Sequence, residues 1–172
     1  MAEPGPAARL HVPIRLRWSD FDAYGHVNNA EMLRLFEEAR IEAFWLPDEG
    51  ASAPGADALG TPLTTRVLDG KPGAKTLTLI AKQTIEYLSP IPYMSRPIDV
   101  QLWLGRLGGA SLEVCYEVHG PVDSADHDLV YARASTTIVL VGAESGRPRR
   151  ITELERRAWE PYLGEPVGFT RR

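Results

Sequence analysis

Arg17-Trp18-Ser19-Asp20-Phe21-Asp22-Ala23-Tyr24-Gly25-His26-Val27-Asn28-Asn29 stands between two different hydrophobic periods. Before it, Val12, Ile14, Leu16 and Trp18 alternate with Pro13, Arg15 and Arg17, the period of a strand with one buried face, and Pro13 suits an edge or a strand start. After it, Met32, Leu35, Phe36, Ala39, Ala43 and Leu46 recur every three or four residues. Glu31, Arg34, Glu37, Glu38 and Glu42 fall largely on the other side, which predicts a long amphipathic helix. Asn28 or Asn29 suits its N-cap, Glu31 fits a capping box, and Pro47 and Gly50 close it. The stretch therefore carries two carboxylates and a histidine to a helix start, where first-turn N–H groups have no internal acceptors.

Downstream the period returns to two. Leu77, Leu79, Ala81, Ile85 and Tyr87 make one face of a strand over residues 75–88, ended by Ser89-Pro90. Strand-like runs at 98–104 and 111–118 flank Gly105-Arg106-Leu107-Gly108-Gly109, which has hairpin-turn chemistry, and a loop at 120–128 leads to a last strand at 129–141. Thr152 caps a short helix over 153–163. Residues 47–74, rich in Pro, Gly, Ala and Ser, read either as a lid or as a long connection. One helix with about five antiparallel strands predicts an α+β fold, and Trp103, Cys115 and Tyr116 leave apolar surface on both sides of the sheet, favouring a homo-oligomer. Residues 1–10 read as a disordered leader, 11–145 as the domain and 146–172 as a C-terminal extension.

A chain of 172 residues, 44% of them hydrophobic, suffices for one core and not two. Its net charge of -4 argues against nucleic acid or an anionic membrane as the main partner. No run approaches the ~18 apolar residues of a membrane span, and the lone cysteine, Cys115, points to a reducing compartment, so a cytoplasmic protein is expected. The glycines form no phosphate-binding fingerprint, so no cofactor is expected. His11, His119 and His127 lack ligand-like spacing, so no metal is expected either. Ser19 lacks the Gly-x-Ser-x-Gly setting of a nucleophile elbow.

Asp22 is the foremost candidate for chemistry. A carbonyl held at the helix start would lie within reach of its carboxylate, which can attack directly or activate water while backbone N–H groups accept the developing oxyanion. The plainer alternative is that Asp22 caps a turn. Asp20 is a second carboxylate, read more readily as a turn or surface residue. His26 orients substrate or assists proton transfer, or is a structural hydrogen-bonder.

Asp22-x-x-Gly25-His26-Val27-Asn28-Asn29, entering a helix that carries Glu37-Glu38-Ala39-Arg40, resembles the hotdog-fold acyl-CoA thioesterases of the 4-hydroxybenzoyl-CoA thioesterase type. Tyr87-Leu88-Ser89-Pro90 is similar to that family's Tyr-x-x-Pro strand end, and Arg106-Leu107-Gly108-Gly109-Ala110-Ser111 to its Arg-x-Gly-x-x-Ser turn. The resemblance covers roughly residues 12–141. It implies a sheet wrapped around one central helix and homodimers or homotetramers joined edge to edge, with active sites at the subunit interface. It also implies an acyl-CoA substrate, with Asp22 catalytic, His26 assisting and Asn29 near the thioester carbonyl. Tyr24, Gly25, Asn28, Arg106 and Ser111 are then substrate-binding, the last two toward the phosphates. Hydrolysis of acyl carrier protein thioesters and a non-catalytic acyl-CoA-binding role are the alternatives.

Overall fold

The computed structural model describes residues 8–47 and 55–170. Strands β1 (Leu10–Ile14), β2 (Thr76–Tyr87), β3 (Ile98–Leu107), β4 (Ser111–His119) and β5 (Val130–Gly142) form one antiparallel sheet in the order β1-β3-β4-β5-β2. Helix α1 (Asn29–Phe44) lies on one face, and a short α2 (Glu153–Trp159) follows the last strand. This is the α+β arrangement that the strand and helix periods predict, laid out as the hotdog resemblance implies. No helix among the described residues is long and apolar enough to cross a membrane.

The apolar side of α1 is buried as its spacing demands: Met32, Leu35, Phe36, Ala39, Ala43 and Phe44 are each at most 2% exposed. Phe36 packs on Tyr116 of β4 with ring centroids 4.7 Å apart. Arg40 is buried beside them, its guanidinium donating to the Tyr116 hydroxyl at 3.1 Å. Burial pushes that phenol up to about 12, against the pull of the Arg40 charge.

Both ends of α1 differ in detail from expectation. Asn28 is the N-cap and accepts the Ala30 N–H at 2.8 Å, but Glu31 pairs with Arg34 at 3.4 Å and closes no capping box. The reason is that the Asn28 N–H already donates to the Asp20 carbonyl at 2.8 Å. The helix stops at Phe44, two residues short of Leu46, because Pro47 disfavours the helical conformation at Leu46 and Trp45 turns extended to bridge with Leu68.

Strand β2 is an edge, and its outward residues remain open, with Leu77 48% and Leu79 51% exposed. A bulge between Ile80 and Lys82 breaks the strict alternation expected across this strand, so Leu77 and Tyr87 do not share a simple buried face. Beyond the helix, Leu63 and Leu68 enter the core, Thr65 donates its hydroxyl to the Ala43 carbonyl at 2.6 Å, and the Trp159 indole donates to the Thr65 carbonyl at 3.1 Å. Residues 55–74 are thus a docked connection; residues 48–54 lie outside the described residues.

Two sequence readings of the chain ends need correction. Leu10, the last residue of the segment read as a leader, opens β1 and is 1% exposed, and Arg9 lies over the Trp103 ring at 4.2 Å and pairs with Glu117; residues 1–7 are outside the described part. The segment after 146 is no mere extension. Trp159 is fully buried against Phe44, and the following tail crosses the outer face of the sheet, where Leu163 bridges Leu104 and the Trp103 indole donates to the Glu165 carbonyl at 2.8 Å. The tail covers Trp103 and Cys115, while Tyr116 faces α1, so none of the three offers the open apolar sheet surface read from the sequence.

Candidate active site

The strand-to-helix junction folds into a knot of short-range hydrogen bonds. Trp18–Asp20 forms a single 3-10 turn whose Asp20 is fully buried, taking the Arg17 N–H at 2.7 Å and the Arg17 guanidinium at 3.1 Å. Asp20 is therefore spent on structure and faces no cavity, rather than lying on a surface turn. Residues 22–25 then make a tight turn. The Gly25 N–H donates to the Asp22 carbonyl at 3.1 Å, and Gly25 takes a φ of +76° that only glycine adopts freely. Phe21 bridges Val27, His26 bridges Pro92, and the Val27 N–H donates to the Ile91 carbonyl at 3.0 Å, tying the turn to the segment that follows β2.

Asp22 sits at the centre of this turn. Its Oδ1 accepts the Tyr24 N–H at 2.8 Å and the His26 N–H at 3.3 Å, so the turn-capping role weighed for it is real. One carboxylate oxygen is thereby fixed. Asp22 also lines a cavity of about 510 Å³ shared with His26, Val27, Asn29, Met32, Tyr87, Ser89, Ile91, Tyr131 and Ala132. With Asn28 taking the Ala30 N–H, the N–H of Asn29 has no acceptor among the described residues, and it opens α1 on the cavity wall. The site can thus set a carboxylate, an imidazole and a helix start around a substrate carbonyl, against walls that are mainly apolar.

The structure brings Asp22, His26 and Asn29 to one cavity and leaves other candidates elsewhere. Tyr24 supplies its N–H to Asp22, but the residue is 85% exposed and is not part of the Asp22 cavity wall. Gly25 and Asn28 act through the turn and the helix cap. Arg106 lines a separate cavity of about 740 Å³ with Arg9, Arg133, Trp103 and the tail. Ser111 closes the β3–β4 hairpin, its carbonyl accepting the Gly108 N–H at 2.8 Å, and it pairs with Val139 of β5. The Asp22 cavity instead meets β5 at Tyr131, eight residues away, or about 25 Å along a strand. Within the chain, the two sets stand at opposite ends of the sheet.

Two tyrosines escaped the sequence reading as wall residues. The Tyr87 hydroxyl donates to the Asn29 carbonyl at 2.8 Å, anchoring the helix start to the end of β2, and burial raises its pKa. Tyr131 is 4% exposed, its pKa also raised by burial, and its carbonyl accepts the N–H groups of Leu88 and Ser89. The Tyr87-x-x-Pro90 motif was the available signal for the first. For Tyr131, only the pairing of β5 beside β2 reveals it.

The sequence matches the thioesterase-like superfamily over residues 16–158, and the chain belongs to that family; by class it is a thioester hydrolase. No curated protein matches the sequence. Among solved structures, a predicted thioesterase from Bacillus stearothermophilus is similar at a TM-score of 0.67 and 22% identity, over 93% of this chain and 100% of that one. The PA2801 protein of Pseudomonas aeruginosa is similar at 0.62 and 27%, over 87% and 95%. A thioesterase from Thermus thermophilus, complexed with coenzyme A and Zn, is similar at 0.59 and 24%, over 92% and 96%.

Proposed function

We propose that this protein hydrolyses acyl-CoA thioesters to a free carboxylic acid and CoA, with Asp22 as nucleophile or general base. The observation that carries this reading is that Asp22, with one carboxylate oxygen pinned by turn amides, lines the same cavity as Asn29 at the start of α1. As general base, Asp22 takes a proton from water while the water oxygen bonds to the thioester carbon, and the tetrahedral intermediate collapses to expel the CoA thiolate. As nucleophile, its carboxylate oxygen attacks that carbon and expels the thiolate, and water then hydrolyses the resulting anhydride. In both routes the charge developing on the carbonyl oxygen meets the Asn29 N–H and the positive end of α1. His26 supports the carbonyl from the cavity wall, and Met32, Ile91 and Ala132 provide apolar contact for the acyl group.

Arg106 and Ser111 serve this reading from a second copy of the chain. The exposed Leu77, Leu79 and Ile80 on edge strand β2 favour edge-to-edge pairing, and an antiparallel pairing would carry the hairpin end of one sheet toward the Asp22 end of the other. In that assembly Tyr24, Gly25 and Asn28 flank the pantetheine path.

Thiol release from a panel of acyl-CoA and acyl carrier protein thioesters tests the proposal. Asp22→Asn keeps an oxygen for the Tyr24 and His26 amides and should lower kcat by at least about 100-fold with an unchanged melting temperature. Equal turnover by the Asn variant would sink the assignment, and release from carrier-bound substrates alone would shift it to that substrate class.

A further inference from the structure

On the outer face of the sheet, well away from the Asp22 cavity, three residues remote in sequence converge. His11 of β1 pairs across the ladder with Gln101, and Pro13 with Asp99, so His11 and Asp99 are diagonal neighbours on one face of β1 and β3. His127 arrives from the loop between β4 and β5, where its carbonyl is held by His119 Nδ1 at 2.7 Å. His11 Nδ1 lies 2.8 Å and His127 Nε2 2.9 Å from Asp99 Oδ2, and one ligating atom from each residue lies within 4.8 Å of the others.

The carboxylate is used unevenly. Oδ2 takes both imidazoles and the Gln101 amide at 3.2 Å, whereas Oδ1 is buried with no hydrogen-bond partner among the described residues. Asp99 as a whole is 1% exposed. An orphaned oxygen on a nearly fully buried carboxylate is costly, and three donors crowded at the other oxygen leave it uncompensated. The side chains of His11 and His127 retain 16% and 29% exposure, which leaves a route from solvent to the cluster.

We propose that His11, Asp99 and His127 form a binding site for a divalent transition-metal ion of the zinc class. Two imidazole nitrogens and one carboxylate oxygen are a borderline donor set that suits Zn²⁺ or Co²⁺ and leaves a position for water. Ligands about 2.0–2.1 Å from one tetrahedral ion lie roughly 3.3 Å apart, so the two nitrogens, 2.8 and 2.9 Å from Oδ2, would each draw back by about 0.5 Å. Binding replaces the N–H donors at Asp99 with the ion: a neutral imidazole shifts that proton to its other nitrogen, and a protonated one releases it to solvent. The ion clamps β1, β3 and the 120–129 loop together. Because none of the three residues lines the Asp22 cavity, it acts on stability rather than on the reacting bond.

The test uses the purified full-length chain after dialysis against a chelator. Co²⁺ should titrate to one equivalent per chain with the visible bands of a low-coordinate N/O site, Zn²⁺ should displace it, and saturating Zn²⁺ should raise the melting temperature. His127→Gln and, separately, His11→Gln should each weaken Co²⁺ binding at least 10-fold, with circular dichroism showing that each variant is folded, while His26→Gln keeps the titration. Absence of a Co²⁺ spectrum and of a Zn²⁺ thermal shift overturns the proposal and leaves a hydrogen-bonded triad. Binding retained in both His127→Gln and His11→Gln overturns it too, and its loss in His26→Gln would move the metal to the Asp22 cavity.

Discussion

Asp22 shows how one side chain can serve geometry and chemistry together. Its Oδ1 is a turn acceptor, which is the commonplace fate of an Asp before a helix, and the same bonds hold the carboxylate against the cavity. Gly25 is the backbone partner of that arrangement. A Cβ there would meet nothing within 4 Å, so Gly25→Ala should suffer only from its φ of +76°. We expect it to lose about 1–2 kcal/mol in denaturant unfolding, and to lower kcat as well, because the turn that aims Asp22 must relax. A stability loss with full activity would show that the aim tolerates the shift. Asp22 and His26 were legible as candidates because a strand period breaks into a helix period around them, and Asn29 entered through the family resemblance. Tyr131 was not legible, since it enters through strand order, and sheet neighbours separated in sequence leave no local pattern.

At the scale of elements, α1 was the most readable because 3.6-residue spacing and an Asn cap are both local. Its face is also where stability is concentrated. Phe36 is 1% exposed and packed on Tyr116, and Phe36→Ala should destabilise the fold by about 3–5 kcal/mol, measured by urea unfolding, while leaving the chemistry of any folded fraction intact. Strand β2 was readable as a strand but not as an edge, since alternation reports a period and not what lies on either side. The same limit applies to Trp103 and Cys115. Their outward alternation looked like surface for another subunit, and the cover turned out to be residues 163–167 of the same chain.

At the scale of the whole molecule, the charged groups on the outer face of the sheet form one hydrogen-bonded network, in which Gln101 and His119 connect the Arg9–Glu117 pair to the His11–Asp99–His127 cluster. Glu117 receives a hydrogen bond from His119, opposed by burial and joined by Arg9, and its carboxyl is held down to about 2 from an ordinary 4.5. A carboxyl depressed on folding contributes stability that is complete above the unfolded value and disappears as the pH falls through the folded one. The loss should therefore run from about pH 4.5 to about 2. Glu117→Gln should flatten the acid limb of melting temperature against pH in that window, and an unchanged limb would assign acid sensitivity to other carboxylates. The metal-type cluster at His11, Asp99 and His127 belongs to the same scale: no pairwise spacing in the chain announces it, because three segments meet only once the sheet has formed.

The tail over β3 also turns Cys115 into a clock. Its thiol is fully buried, and burial pushes it up to about 11, so at pH 8 only about a thousandth would be thiolate even if a reagent could reach it. Labelling by an aromatic disulfide must then wait for residues 163–170 to lift away, and its rate reads the frequency of that local opening separately from global unfolding. Ending the chain at Tyr162 should speed labelling at least about tenfold with the far-ultraviolet spectrum preserved. An unaltered rate would mean that the sheet itself, and not its strap, guards the sulfur.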